Sequence, residues 1–163
     1  RIVNGLDSHF DPGWADSHGP TQESGFDAVS MLAHYLESIP YIPPHDPGRG
    51  NDGTSWLDHT VIMGFSEFSR TPLLNARGGR DHHITNSCFL LGGGIRGGQV
   101  IGASTDVDMQ SQNINLSTGR PAGPNESGEI IRPEHVLKTL FDEVGIGDEP
   151  DLRVNGISKL LRS

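Results

Sequence analysis

The clearest periodic signal falls at residues 24–39. Phe26, Val29, Leu32, Ala33, Leu36 and Ile39 recur at three- and four-residue spacing, which places them on one face of a helix. Ser24 stands as its N-cap, and Pro40 with Pro43-Pro44 ends it. Ahead of it, residues 1–20 are polar and rich in Gly, Asp and His, so they read as loop, with Ile2-Val3 as the end of a strand. Behind it, residues 40–56 form a stretch of Pro, Gly, Asp and Asn. At about 17 residues it exceeds most connections in compact domains and reads as a functional lid or a disordered excursion. Thr60-Val61-Ile62-Met63-Gly64-Phe65 is β-branched and almost continuously apolar, the pattern of a strand covered on both faces. Ser87 to Leu91 is a second such strand, and Gln99 to Gly102 a short third one. Residues 104–129 read as an irregular insertion. A helix runs from Pro133, with Val136, Leu137, Leu140, Phe141 and Val144 as its apolar positions and Gly145 beyond its end. No repeat and no internal boundary interrupts the pattern. Helices alternating with buried strands predict an α/β layered sheet.

Composition thins the expected core. Only 33% of the 163 residues are apolar and 6% aromatic, while Gly (22) and Pro (11) are plentiful, so the chain is loop-rich. The net charge of −9 repels phosphate backbones and anionic lipid, which argues against a nucleic-acid partner and against docking on a membrane. No apolar run approaches the ~20 residues that span a bilayer. The single cysteine, Cys88, sits in an apolar run and reads as a core thiol. The opening Arg1-Ile2-Val3-Asn4-Gly5, without Met or a signal sequence, reads as a fragment or a processed chain.

Three clusters carry candidate chemistry. In Asp7-Ser8-His9 the carboxylate and the imidazole share one side of an extended segment. Hard oxygen with imidazole nitrogen suits Zn²⁺, Mn²⁺ or Fe. Glu67 directly follows the strand at 60–65, and ligands of open α/β sheets bind beyond the carboxyl ends of strands. It is placed for metal or proton chemistry, or is a solvated glutamate. Arg70 matches an anionic group bidentately, or pairs with Glu67 or Asp81. In Arg80-Asp81-His82-His83, a turn would let one residue ligate while another orients the imidazole. The competing reading is a hydrogen-bonded loop staple. Gly92-x-Gly94-x-x-Gly97 has the letters of a dinucleotide fingerprint, but no helix pattern follows to hold a pyrophosphate, so it reads as a tight turn. His34, His45, His59 and His135 carry no chemical assignment, and His18 lies near the Asp7 segment.

Taken together these segments resemble a family. Leu6-Asp7-Ser8-His9 resembles its Trp-Asp-Thr-His segment, and Ser66-Glu67-Phe68-Ser69-Arg70-Thr71-Pro72 its Ser-Glu-Phe-Gly-Arg-Thr-Pro block. Gly79-Arg80-Asp81-His82 and the glycine-rich run Leu91 to Gly102 match two further blocks, and Thr105-Asp106 with the helix at 133–145 completes the order. The chain resembles the bacterial family called domain of unknown function 1501, related to alkaline phosphatases, sulfatases and cofactor-independent phosphoglycerate mutases.

The resemblance implies the C-terminal part of an alkaline-phosphatase-like layered sheet with helices on its faces. Residues 1–163 would form a single partial domain whose nucleophile-bearing N-terminal half is a missing partner. It implies export by the twin-arginine route to a periplasmic or extracellular location. It also implies a metal-dependent hydrolase of phosphate or sulfate esters acting on a small anionic substrate, or a non-catalytic relative that keeps the fold. The cofactor would be a divalent ion, Zn, Mn or Ca. Asp7 and His9 fit one ligand group, Glu67 stands where a second Asp would be, and His82 or His83 fits a later ligand, with Asp81 beside them. Arg70 or Arg80 would clamp the anion. Two departures point to one metal or none: Asp7 and His9 are two residues apart rather than four, and Phe68 replaces a histidine.

Overall fold

The computed structural model describes residues 3–10, 12–148 and 151–162. The expected strand end at Ile2-Val3 lies partly outside them, and Val3 belongs to no strand. Among the described residues the content is mixed α/β, with two α-helices and three small antiparallel sheets. The chain divides into two compact units, Arg1–Gly93 and Gly94–Ser163.

In the first unit, helix α1 spans Trp14–Ser38. It begins ten residues before the expected start at Ser24, so residues 14–20 are helix and not loop. Gly19 and Pro20 hide this stretch, because both are poor helix formers. Tertiary contacts compensate: Trp14 Nε1 donates to the Gly78 carbonyl at 3.3 Å, and the Arg80 guanidinium lies 4.8 Å from the Trp14 ring. Gly25 and Val29 form the buried stripe of the helix. Phe26 is half exposed and meets the ring of Phe89 at 5.6 Å.

The long connection after α1 is closed at its neck. Tyr41 N–H donates to the Thr54 carbonyl at 2.9 Å and Trp56 N–H to the Ile39 carbonyl at 3.0 Å. The Tyr41 ring stacks on His59 at 3.6 Å and meets Trp56 edge-on at 5.1 Å. The 3₁₀ turn Trp56–His59 is capped by Asp58, whose Oδ2 accepts the Ser55 N–H at 2.8 Å. This stretch is therefore an ordered loop packed on its own side chains.

Strand β1 (Val61–Phe65) pairs antiparallel with β4 (Cys88–Gly92), with Ile62 opposite Leu91 and Gly64 opposite Phe89. A Cβ on Gly64 would collide with the Phe89 ring, so the bare glycine lets that ring lie across β1. The two strands occur where expected, but their residues are half-buried and Phe65 is exposed. Their half-burial shows that the continuous apolar pattern is not fully covered within this unit. Cys88 is exposed at the start of its strand, contrary to the core reading. Between β1 and β4, strand β2 (Ser69–Arg70) pairs antiparallel with β3 (His82–His83).

In the second unit, residues 104–129 are not an irregular insertion. They hold β5 (Asn113–Asn115) and β6 (Arg120–Pro121), and β7 (Glu129–Ile130) begins at their end; β5 lies between the other two. Strands of two or three residues are too short to show an alternation a reader could detect. Gln99 to Gly102 forms no strand. Helix α2 covers Pro133–Glu143, as expected, with Pro133 in its first turn and Gly145 at φ +78° just past its end. His135 Nδ1 accepts the Arg132 N–H at 2.9 Å, and its Nε2 faces the Glu129 carboxylate at 3.4 Å. Ile95, Ile114, Val136 and Ile157 make the core of this unit. No helix among the described residues is long and apolar enough to cross a membrane.

The tail is pinned to α2 by one hydroxyl. Thr139 Oγ1 donates to the His135 carbonyl at 2.7 Å and accepts the Ile157 N–H at 2.6 Å, all of it buried. Thr139→Val keeps the shape and orphans the Ile157 N–H. It should cost about 1–3 kcal/mol in chemical denaturation.

Candidate functional site

The first unit brings together three stretches that are far apart in sequence. Residues 7–9 have no regular structure of their own and lie along the hairpin formed by β2 and β3. The Arg80 N–H donates to the Ser8 carbonyl at 2.6 Å. Asn75 Nδ2 donates to the His9 carbonyl at 3.0 Å and to Asp81 Oδ1 at 2.9 Å. Asn75 Oδ1 accepts the N–H groups of Arg77 and Gly79, closing the turn between the two strands. Gly79 is buried against this segment, where a Cβ would strike the His9 and Ser8 backbone.

Asp7, His9, Arg70 and His82 converge. Asp7 Oδ1 accepts the His9 backbone N–H at 3.0 Å and faces His9 Nδ1 at 3.0 Å and Arg70 Nη2 at 3.2 Å. The His9 N–H first, then the His9 ring and the Arg70 charge, hold the Asp7 carboxyl below its ordinary value despite some desolvation. The His9 ring lies 4.6 Å from the His82 ring. His82 in turn stacks on Phe68 at 3.5 Å, nearly parallel, and the Arg70 guanidinium stands 5.1 Å from the Phe68 ring. Register explains the grouping: Arg70 is opposite His82 in the β2–β3 pair.

The other candidates stand apart from this cluster. The Glu67 carboxylate is exposed, and its contact is with Ser66 Oγ at 3.5 Å. Asp81 is taken up by Asn75, and His83 Nδ1 accepts the Thr85 N–H at 3.1 Å. Arg80 donates to the carbonyls of Thr71 and Pro72 besides covering Trp14, so it braces the hairpin. Asn75 and Trp14 carry no assignment from sequence, and Gly79 stands there only as part of a family block. The Asn-x-x-Gly-Gly run was a turn signal that could have drawn attention to Asn75 and Gly79.

The resemblance implies a divalent cation, which needs several oxygen or nitrogen donors around one point. Among the described residues, no group of three or more His, Cys, Asp or Glu side chains is close enough to hold one. His9 and His82 supply two imidazoles, and the nearest carboxylate oxygen already lies within 3.2 Å of three nitrogens, one of them on a guanidinium. These residues do not fit a complete cation site.

The family described as "Protein of unknown function (DUF1501)" matches residues 52–118. That stretch runs from β1 through β5 and holds Glu67, Phe68, Arg70 and Arg80 to His83, so it supports the family resemblance there. No curated protein and no solved structure matches the chain.

Two outcomes are expected. Asp7 should titrate below its ordinary value of 3.8 in a carbon-detected NMR titration. Its contacts with His9 and Arg70 are present above that range and lost as pH falls through the lowered value. Arg70→Gln should bring the midpoint part of the way back up. Gly79→Ala forces residues 8–9 to move and should cost about 1–3 kcal/mol in thermal or chemical unfolding.

Proposed function

We propose that the Asp7–His9–Arg70–His82 cluster belongs to the active site of a hydrolase of phosphate or sulfate esters. The convergence of residues 7–9, 68–70 and 82 on one spot carries the reading, because it joins a carboxylate, two imidazoles and a guanidinium. The DUF1501 match covers residues 52–118, which hold Phe68, Arg70 and His82; a kinship of that family with phosphatases and sulfatases is part of this proposal. His9 is the group for proton transfer and Arg70 the positive charge beside it; Arg80 acts by bracing the hairpin. No step is assigned to a metal. Zn, Mn or Ca at this site would need donors beyond His9 and His82. Metal analysis of the purified full-length protein tests this directly, and a stoichiometric ion would assign the metal-dependent form of the reaction. An alkaline-phosphatase-like layered sheet belongs to the same proposal, with the N-terminal half of the domain covering the half-exposed strands β1 and β4. So does export to the periplasm or beyond, which cell fractionation tests.

A second reading, a non-catalytic binding or structural module, has one observation in its favour. Phe68 packs flat on His82 and takes up a face of the imidazole. Turnover separates the two. The full-length protein should release aryl alcohol from an aryl phosphate or an aryl sulfate, and His9→Ala should lower the rate by about 10²–10⁴-fold. No turnover of either ester leaves the module as the surviving account.

A further inference from the structure

The hydrogen bonds around Asp7 assign His9 a more specific part, which rests on the hydrolase reading. Asp7 Oδ1 meets the His9 N–H, His9 Nδ1 and Arg70 Nη2, at 3.0, 3.0 and 3.2 Å. An ionised carboxylate only accepts hydrogen bonds, so the 3.0 Å approach of Nδ1 favours the ring proton on that nitrogen. The proton-accepting nitrogen is then Nε2. A divalent cation on the same oxygen would face the fixed Arg70 charge at hydrogen-bond distance, which opposes metal ligation through it. The His9 backbone N–H first, and the Arg70 guanidinium with it, hold the carboxylate ionised and in place, and the imidazole is backed by His82, itself backed by Phe68. About a quarter of the His9 side chain is exposed (28%), so solvent or substrate can reach it.

We propose that Asp7 and His9 form a proton-transfer dyad: His9 is the general base through Nε2, Asp7 is its positioning residue, and Arg70 holds the carboxylate. Nε2 takes a proton from the attacking water as the new oxygen–phosphorus or oxygen–sulfur bond forms. The ester bond breaks on the opposite side, the departing alkoxide or aryloxide takes a proton from solvent, and the imidazolium returns its own proton to solvent. The carboxylate fixes the tautomer and offsets the charge of the imidazolium while it exists.

The test uses the full chain labelled with ¹⁵N-histidine. Long-range proton–nitrogen correlation should show His9 as the Nδ1–H tautomer in the unsubstituted protein. Asp7→Asn should shift it toward Nε2–H. Added Zn²⁺ should leave the His9 and His82 signals in place. With an aryl phosphate or aryl sulfate, Asp7→Asn should lower kcat by about 10²-fold or more with KM little changed. An Nε2–H tautomer in the unsubstituted protein overturns the dyad. So does stoichiometric Zn²⁺ binding that moves both histidine signals. Failure to turn over either ester, with the tautomer as expected, overturns the hydrolase reading and the base role with it, and leaves the Asp7–His9 pairing standing.

Discussion

The Arg80 amide donates to the Ser8 carbonyl over 2.6 Å, and the chemistry of the first unit is arranged around that bond. Residues 7–9 have no helix or sheet to hold them. Their position comes from this backbone contact, from Asn75 on the His9 carbonyl, and from the absence of a side chain at Gly79. These contacts bury the Ser8 side chain, and the turn in which Asp7 Oδ1 accepts the His9 N–H brings the Asp7 and His9 side chains together. They then reach Arg70 and His82, neighbours across the β2–β3 pair. The same few residues therefore serve folding and chemistry, and a change at Gly79 or Asn75 acts on both.

The elements that sequence made legible are those whose stability is local or densely apolar. Strands β1 and β4 show β-branched and apolar runs, and α2 has Pro133 at its start and Gly145 past its end. The first ten residues of α1 were opaque because Gly19 and Pro20 weaken helix propensity there, while the compensating contacts of Trp14 come from residues more than sixty positions away. The three-stranded sheet of the second unit was opaque for another reason: its strands are only two or three residues long, and Ile114 alone among them is fully buried.

For the candidate site, residue types were readable and partnerships were not. Asp7, His9, Arg70 and His82 were drawn from three motifs, and the structure places them together. Glu67, Asp81 and His83 came from the same motifs and have other partners, because the side of a hairpin on which a residue falls depends on register. Arg80 resembled an anion clamp, yet its guanidinium is spent on the carbonyls of its own hairpin and on Trp14. Phe68 was noted as a departure from a ligand pattern; in the fold it is the floor on which His82 rests.

The neck of the loop between α1 and β1 is stitched by two backbone bonds and by the Tyr41–His59 stack. A loop gathered at its base is insulated from its own tip. Adding residues there costs only a logarithmic increment of chain entropy and does not pull on the strand that follows. This makes the tip a place where length and sequence can drift between relatives, or where a tag can be inserted, while the hairpin bearing His82 and Arg70 keeps its shape.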